Sequence, residues 1–410
     1  MPCSSLAPSV ADMGLLFKAS VDDRIVVRLL SRKPGLVEMD EATHQIYAEH
    51  AKSWIAARRP NAIEDGRLDA FARRVRRRGL VADVGCGPGW YAERLNALGF
   101  RVVAVDLTHS MLDEVSQRAS GAMPVRADLA ALPFADRVLD AAWGANCYCH
   151  LPAAELPRAF AHLQRALRPG APVALSLANV DWLVARYGGT GGDEVENRFV
   201  GGELPGRLYT FVSAARARAL LHGAGFEGVR VELIRDGFWL WIRARRARTL
   251  PDLVGTGLRL LICGLNPSLY SADRGIPFAR PGNRFWPAAV LAGLVGRERD
   301  PLDALHRGIG TTDLVKRATA GADEIRPREY AAGLARVEAL VRHHRPAATC
   351  FVGLDGWRKV VDRRARPGWI AGGFGGRPAY LMPSTSGRNA RVPLDQLADH
   401  LRAATRVPER

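Results

Sequence analysis

Residues 80–115 read LVADVGCGPGWYAERLNALGFRVVAVDLTHSMLDEV. A mostly apolar run, Leu80–Val84, ends on Gly85, and Gly87 and Gly89 follow before a helical pattern opens. Glycines at such a turn let the backbone pass close to a nucleotide-like ligand, and the helix N-terminus offers N–H donors. A second apolar run ends on Asp106, 17 residues after Gly89. A carboxylate at that strand end can accept both hydroxyl hydrogens of a ribose. The glycines run G-x-G-x-G, which differs from the G-x-G-x-x-G of dinucleotide sites.

Outward from this stretch the pattern alternates. Strands are predicted at 80–85, 102–106, 124–127, 139–143, 171–177, 229–234 and 238–243, with helices at 89–98, 110–118, 154–167 and 213–224. That rhythm predicts a doubly wound α/β sheet. Residues 41–78 read as helical and end in five arginines, Arg73, Arg74, Arg76, Arg77 and Arg78, which suit a solvated helix face or a nucleic-acid contact. Residues 1–40 carry no motif and are expected to form a disordered extension, with Met39 as a second possible start.

A second alternation begins near residue 258. Strands are predicted at 258–263, 348–352 and 377–382, and helices at 284–295, 327–343, 355–363 and 393–404. Long connections are expected near 264–283 and 308–326; such segments in a compact domain are usually functional. Basic residues and a proline at 241–253 mark the seam. The expected division is therefore a first α/β domain over 41–245, a linker over 246–257 and a second α/β domain over 258–410, each a three-layer αβα sandwich.

Composition narrows the function. The net charge is +16, and residues 251–410 hold 25 Lys and Arg against 15 Asp and Glu. Excess positive charge on a small domain favours polyanions, because phosphate contacts release condensed counterions. No apolar run is long enough to span a bilayer, and the N-terminus lacks a basic stretch followed by an apolar one, so neither a membrane nor a secretory route is expected. Six cysteines without a C-x2-C pair argue against a zinc or iron–sulfur site and suit a reducing cytoplasm, so no metal is expected.

The first half resembles class I S-adenosylmethionine-dependent methyltransferases. Its D-V-G-C-G-P-G block places Asp83, Gly85, Gly87 and Gly89 in their first motif, and Asp106 matches their ribose-binding acid. Asp128 in RADLAALPF matches the residue that meets the adenine amine, with Leu129 giving a backbone contact, and RALRPGAPVALS resembles the turn into the fifth strand. The resemblance implies a Rossmann-like fold and S-adenosylmethionine as cofactor. The acceptor stays open. After the fourth strand comes WGANCYCHL, without the Asp/Asn-Pro-Pro-aromatic of amine-directed DNA enzymes or the Pro-Cys of cytosine-C5 enzymes. Asn146, Tyr148 and His150 fall near the expected mouth, where they line the site or simply pack.

Four blocks of the second half act together: LICGLNPS at 261–268, GIPFARPGNRFW at 275–286, GTTDLVKRATAG at 310–321 and MPSTSGRNAR at 382–391. In this order they resemble the mismatch-specific uracil-DNA glycosylase and thymine-DNA glycosylase family. The resemblance implies a uracil-DNA-glycosylase-like fold, no cofactor, and hydrolysis of the N-glycosidic bond of a flipped pyrimidine paired with guanine in duplex DNA. It assigns Asn266 to positioning the water, and Phe278 to stacking on the base. Backbone N–H groups around Gly264 and Leu265 would steady the departing base. Asn283 shapes the base pocket or caps a helix. Ser384 and Ser386 would bond phosphate, Gly387 would turn the loop into the groove, Arg388 would enter the vacated stack or stay in a surface turn, and Arg391 would meet phosphate.

The sequence departs from that family at two positions. Ser268 replaces a glycine, and Asp313 stands where a neutral or basic residue is common. A carboxylate there can act as a general base or stabilise an oxocarbenium ion, or it can cap a helix or pair with Lys316 or Arg317. A lyase needs an amine nucleophile, and with only Lys316 and Lys359 in the second half a monofunctional enzyme is expected. The combined expectation is a DNA repair glycosylase fused to a methyltransferase of unknown acceptor, monomeric, cytoplasmic and nucleoid-associated. The competing reading makes the second half a non-catalytic lesion-binding module.

Overall fold

A computed structural model describes residues 40–58, 62–199, 204–389 and 391–407, so the expected extension over 1–40 falls almost wholly outside the described residues. Among the described residues the first half has nine strands: β1 (Leu80–Val84), β2 (Arg101–Asp106), β3 (Ala122–Arg126), β4 (Ala141–Gly144), β5 (Pro172–Asn179), β6 (Glu194–Arg198), β7 (Leu208–Val212), β8 (Phe226–Ile234) and β9 (Trp239–Arg246). The parallel core runs β3-β2-β1-β4-β5, so strand order reverses between β1 and β4. In doubly wound sheets the crevice at such a reversal receives the ligand at the carboxyl ends of the strands. Gly85 and Asp106 sit at those ends.

Beyond β5 the sheet divides. β9 pairs antiparallel with it over Pro172–Ala178, while β7 continues parallel at Ala178 and Asn179. β6 and β7 were not anticipated. β6 reads EVENR and is partly or fully exposed throughout, so it carries no apolar alternation to betray it. Separate cores cover the two faces of the sheet. Phe134, Phe160 and Leu221 stand in one, and Phe71, Trp143 and Trp241 in the other.

Among its described residues the second half has five strands: β10 (Leu260–Gly264), β11 (Ile309–Asp313), β12 (Ala348–Val352), β13 (Gly368–Trp369) and β14 (Ala379–Met382). They run β11-β10-β12-β14-β13, parallel apart from the short β13. Helices pack on both faces, around Trp286 and Leu401 on one side and Tyr330 and Val337 on the other. Both halves are thus mixed α/β sheets between helical layers.

One expectation needs correction here. Residues 308–326 were read as a connection, yet Ile309–Asp313 form a fully buried strand beside β10. Gly310, Thr311 and Thr312 hid it, because they carry no apolar signal. The pairing sets Gly264 opposite Asp313. Short helices at Leu269–Arg274 and Pro301–His306 also went unread, and the helix expected at 284–295 is confined to Phe285–Leu291.

The segment expected to be a linker is packed. Arg246 is 1% exposed and Asp252 3%. Leu253 exchanges both backbone hydrogen bonds with Thr311, at 2.9 Å each. Asp252 accepts from Lys316 Nζ at 2.9 Å, Arg336 Nη1 at 2.7 Å and Thr312 Oγ1 at 2.7 Å. Lys316 Nζ also donates to Gly223 O, in the first half, at 3.0 Å. Arg248 is bidentate on Asp273, and His343 Nε2 lies 3.2 Å from Glu194 Oε1.

Candidate active sites

The glycine turn opens onto a cavity of about 410 Å3 at the carboxyl ends of β1 and β2. Gly85, Gly87 and Gly89 all have φ between +53° and +86°, where a β-carbon is strained. A Cβ on Gly85 would lie 2.2 Å from Cys147 Cβ, and one on Gly89 would lie 2.9 Å from Val115 Cγ2. A Cβ on Gly87 would meet only the Trp54 ring, at 3.9 Å, so this glycine faces open space.

Asp106 lines the same cavity. Its carboxylate accepts from Gly87 N and Thr108 N at 2.9 Å each, and burial pushes its carboxyl up against those bonds. Leu129 also lines the space, whereas Asp83, Gly89 and Asp128 do not. Asp83 is 1% exposed; burial pushes its carboxyl up to about 8, and its Oδ2 accepts no hydrogen bond among the described residues. Asp128 Oδ1 accepts from Ala130 N at 2.7 Å and so caps the turn that presents Leu129.

Residues that motif reading passed over complete the lining. Tyr47, Trp54 and Arg58 come from the helix Glu41–Ala57 and its C-cap, and Arg207 and Tyr209 come from the unanticipated β7 region. His150 Nδ1 lies 2.8 Å from Leu208 O and must donate to it. Its Nε2 then accepts from Tyr47 Oη at 3.0 Å, and that oxygen accepts from Arg207 Nη1 at 2.7 Å. Burial, with Arg207 nearby, pushes His150 down to about 4. Asn146 lines the cavity as expected, with φ at +60° and its backbone N–H held by Ser176 Oγ. Tyr148 is fully buried and packs on Phe160 instead.

In the second half the β10–β11 pairing gathers three of the expected residues. A Cβ on Gly264 would lie 2.4 Å from Asp313 Oδ1 and 3.3 Å from Phe278 Cζ. Only glycine leaves room for that carboxylate and that ring together. Phe278 is partly exposed, stacks on Phe285 with centroids 4.2 Å apart, and has φ at +56°. A bulky residue in the left-handed region is held there by its surroundings and is a signature of functional sites.

Asp313 does not cap a helix, nor does it pair with Lys316 or Arg317. It ends β11, while Lys316 is spent on Asp252 and Arg317 on Glu329. Burial pushes its carboxyl up to about 6, opposed by Lys316 and Arg336 and reinforced by Asp252. Asn266 is fixed through its amide nitrogen, which donates to Thr319 Oγ1 at 2.8 Å and Arg317 O at 3.1 Å. Its Oδ1 accepts nothing among the described residues. Leu265 continues the pairing past β10, its carbonyl taking Val315 N at 2.9 Å. Asn283 Oδ1 accepts from Phe285 N at 2.9 Å, an Asx turn that leads into the helix beneath Phe278.

Residues 383–389 form a turn beside this site. Ser384 Oγ accepts from Ser386 N at 3.2 Å, and Ser386 Oγ accepts from Arg388 N at 3.4 Å. A Cβ on Gly387 would lie 2.9 Å from Gly282 O, so this turn and the 275–286 loop touch at two glycines. Arg388 and Arg391 are exposed. Arg284 was missed by sequence reading: its Nη1 donates to Val392 O at 2.6 Å and its Nη2 donates to Asn389 O, clamping the turn.

Comparison with known proteins matches a different family in each half. Residues 81–170 match a family model described as a methyltransferase domain, and residues 251–404 match one described as the uracil DNA glycosylase superfamily. The chain joins a methyltransferase domain to a uracil DNA glycosylase superfamily domain. Similar solved structures include a SAM-dependent methyltransferase of Methanosarcina mazei, at 18% identity and TM-score 0.39, covering 43% of this chain and 97% of that one. A S-adenosylmethionine-dependent methyltransferase of Mesorhizobium loti is 20% identical at TM-score 0.36, covering 45% and 99%. The DhpI–SAH complex is 20% identical at TM-score 0.40, covering 50% and 96%.

A methyltransferase domain implies a nucleoside-bearing methyl donor, and the residues present fit one. The open face of Gly87 admits a backbone-hugging ligand, and Asp106 keeps lone-pair sites beyond the two backbone bonds it accepts. In the glycosylase half neither lysine is placed as a nucleophile. Lys316, inside the 310–321 block, is tied to Asp252, and Lys359 Nζ donates to Tyr330 Oη at 2.9 Å. No described helix is long and apolar enough to cross a membrane.

Proposed function

We propose that the glycosylase half removes uracil, together with thymine or modified pyrimidines, from opposite guanine in duplex DNA, and leaves an abasic site. The observation that carries this reading is the convergence of Asp313, Gly264 and Phe278 two residues from Asn266. The division of labour follows from the bonds. Asn266 has its nitrogen committed and its Oδ1 free, so it serves as a fixed acceptor for the attacking water. Asp313, with a carboxyl near 6, is ionised at neutral pH and takes the proton as water attacks the sugar carbon. Phe278, backed by Phe285, offers a stacking face for the extruded base. Arg388 and Arg391 on the clamped turn supply cations for the DNA, and the +10 balance of residues 251–410 suits a polyanion.

The methyltransferase half, on this reading, uses S-adenosylmethionine, with Asp106 on the ribose and Leu129 against the adenine. We place the protein in the nucleoid-associated cytoplasm as a monomer. The test incubates the full chain with otherwise identical U·G, U·A and T·G duplexes and scores alkali-labile breaks. Breaks at U·G are expected, fewer at U·A. Absence of breaks at U·G overturns the glycosylase reading, and equal rates on U·G and U·A remove the mismatch preference. Titration of the full chain with S-adenosylmethionine tests the other half independently.

A further inference from the structure

The far wall of the methyltransferase cavity has a chemistry of its own. Among the described residues three guanidinium groups line the cavity, Arg58, Arg207 and Arg235, against one carboxylate, Asp106. Asp106 belongs to the cofactor end, because its two oxygens take Gly87 N and Thr108 N. Arg58 also lies toward that end. It stacks on Trp54 at 5.0 Å, and Trp54 is the ring that faces Gly87. Arg207 lies elsewhere. Its guanidinium sits over Tyr47 at 5.3 Å and Tyr209 at 5.5 Å, beside His150, and it is 6% exposed. Its Nε donates to Leu204 O at 2.9 Å and its Nη1 donates to Tyr47, while its Nη2 donates to nothing among the described residues. A buried, always-charged group with an unused donor on a cavity wall calls for an anion. Rings surround it: Tyr209 packs on Phe238 at 6.2 Å and on Trp239 at 6.4 Å, and all three line the cavity.

Among the described residues no general base accompanies this cation. His150 spends both ring nitrogens, on Leu208 O and Tyr47 Oη. Tyr47 gives its proton to His150 and accepts from Arg207. An acceptor that must lose a proton before attack therefore finds no partner on this wall.

We propose that the methyl acceptor is a small aromatic carboxylate, held by Arg207 against the Tyr47–Tyr209–Phe238 wall and methylated on its carboxylate. This rests on the methyltransferase reading above and does not depend on the glycosylase. One carboxylate oxygen accepts from Arg207 Nη2. The other attacks the sulfonium methyl: the new O–C bond forms, the S–C bond breaks and its electron pair stays on sulfur. A cation and an anion become a neutral thioether and a neutral methyl ester, and no proton moves. A nucleobase amine would gain nothing from the buried guanidinium, which would repel the ammonium formed on attack.

The test uses the full chain saturated with S-adenosylhomocysteine and titrates benzoate, phenylacetate and cinnamate against the matching neutral amides. At least one carboxylate is expected to bind 10-fold or more tightly than its amide, and to accept label from radiolabelled S-adenosylmethionine as an alkali-labile methyl ester. Arg207→Met is expected to weaken carboxylate binding at least 10-fold and leave cofactor affinity within about 3-fold. Arg207→Lys, which keeps the charge, should restore part of it. The proposal is overturned if amides bind as well as carboxylates, if none of the three carboxylates binds, or if label goes to an oligonucleotide instead. It is equally overturned if Arg207→Met loses the cofactor in step with the carboxylate. Failure of the wild-type chain to bind S-adenosylmethionine would instead refute the methyltransferase reading beneath it.

Discussion

Asp313 carries opposite consequences for folding and for chemistry. Its carboxyl rises from the ordinary 3.8 to about 6 because it is buried. A folded-state value above the unfolded one means the protonated form suits the fold. The associated stability is complete below about 3.8 and is lost as pH rises through about 6. Chemistry needs the ionised form. Base release is therefore expected to rise with pH and level off above about 6, as read from single-turnover rates on a U·G duplex between pH 4.5 and 8.5. Asp313→Asn should flatten that profile and slow release by roughly 10²–10⁴-fold. The same variant should melt higher than wild type at pH 7.5, by about 1 °C for each kcal/mol relieved, in scanning calorimetry. An unchanged rate would remove Asp313 from the mechanism. Asn266→Ala should slow release by roughly 10²-fold or more while DNA affinity changes little, since it deletes a positioning acceptor and no phosphate contact.

At the scale of elements, the β10–β11 pair is what makes the second site. Gly264 is required because Asp313 Oδ1 occupies the place of its side chain. Gly264→Ala is expected to displace that carboxylate and abolish base release, with mismatch-duplex affinity within about 3-fold by fluorescence anisotropy. Full activity in this variant would contradict the register seen here. The sequence made β10 legible because Leu260–Cys263 is an unbroken apolar run before a glycine. It left β11 illegible because a strand of Ile, Gly, Thr, Thr and Asp owes its burial to neighbours and not to its own hydrophobicity. The glycine turn of the first half was readable for the opposite reason: close approaches at Gly85 and Gly89 leave a chemical mark on the chain. The acceptor wall left none. Tyr47, His150 and Arg207 lie more than a hundred residues apart at the extremes, and only the folded sheet brings them together.

At the scale of the whole molecule, a charged cluster of the second half sits on the seam, where Lys316 reaches both Asp252 and Gly223 O of the first half. Asp252 stays ionised although burial pushes its carboxyl up, because Arg336 and Lys316 together with Thr312 hold it below the usual range. Asp252→Ala would leave two cations at the seam without their shared partner. That is expected to cost about 3–5 kcal/mol in denaturant unfolding. The wild-type chain should unfold in a single calorimetric transition in place of two. Two well-separated transitions, with only the later one moved by the substitution, would show the halves to be independent.

The packed seam also bears on how this protein can be divided. A fragment beginning at residue 258 keeps Lys316, Arg336 and Thr312 but discards Asp252, and it strips Thr311 of the strand-like partner at Leu253. Thr311 and Thr312 lead directly into Asp313, so the scar of such a cut lies one peptide from the candidate base. The stretch that reads as a hinge is thus part of the second enzyme's foundation. Fragments of the glycosylase half should start before residue 251, at the place where the chain leaves β9.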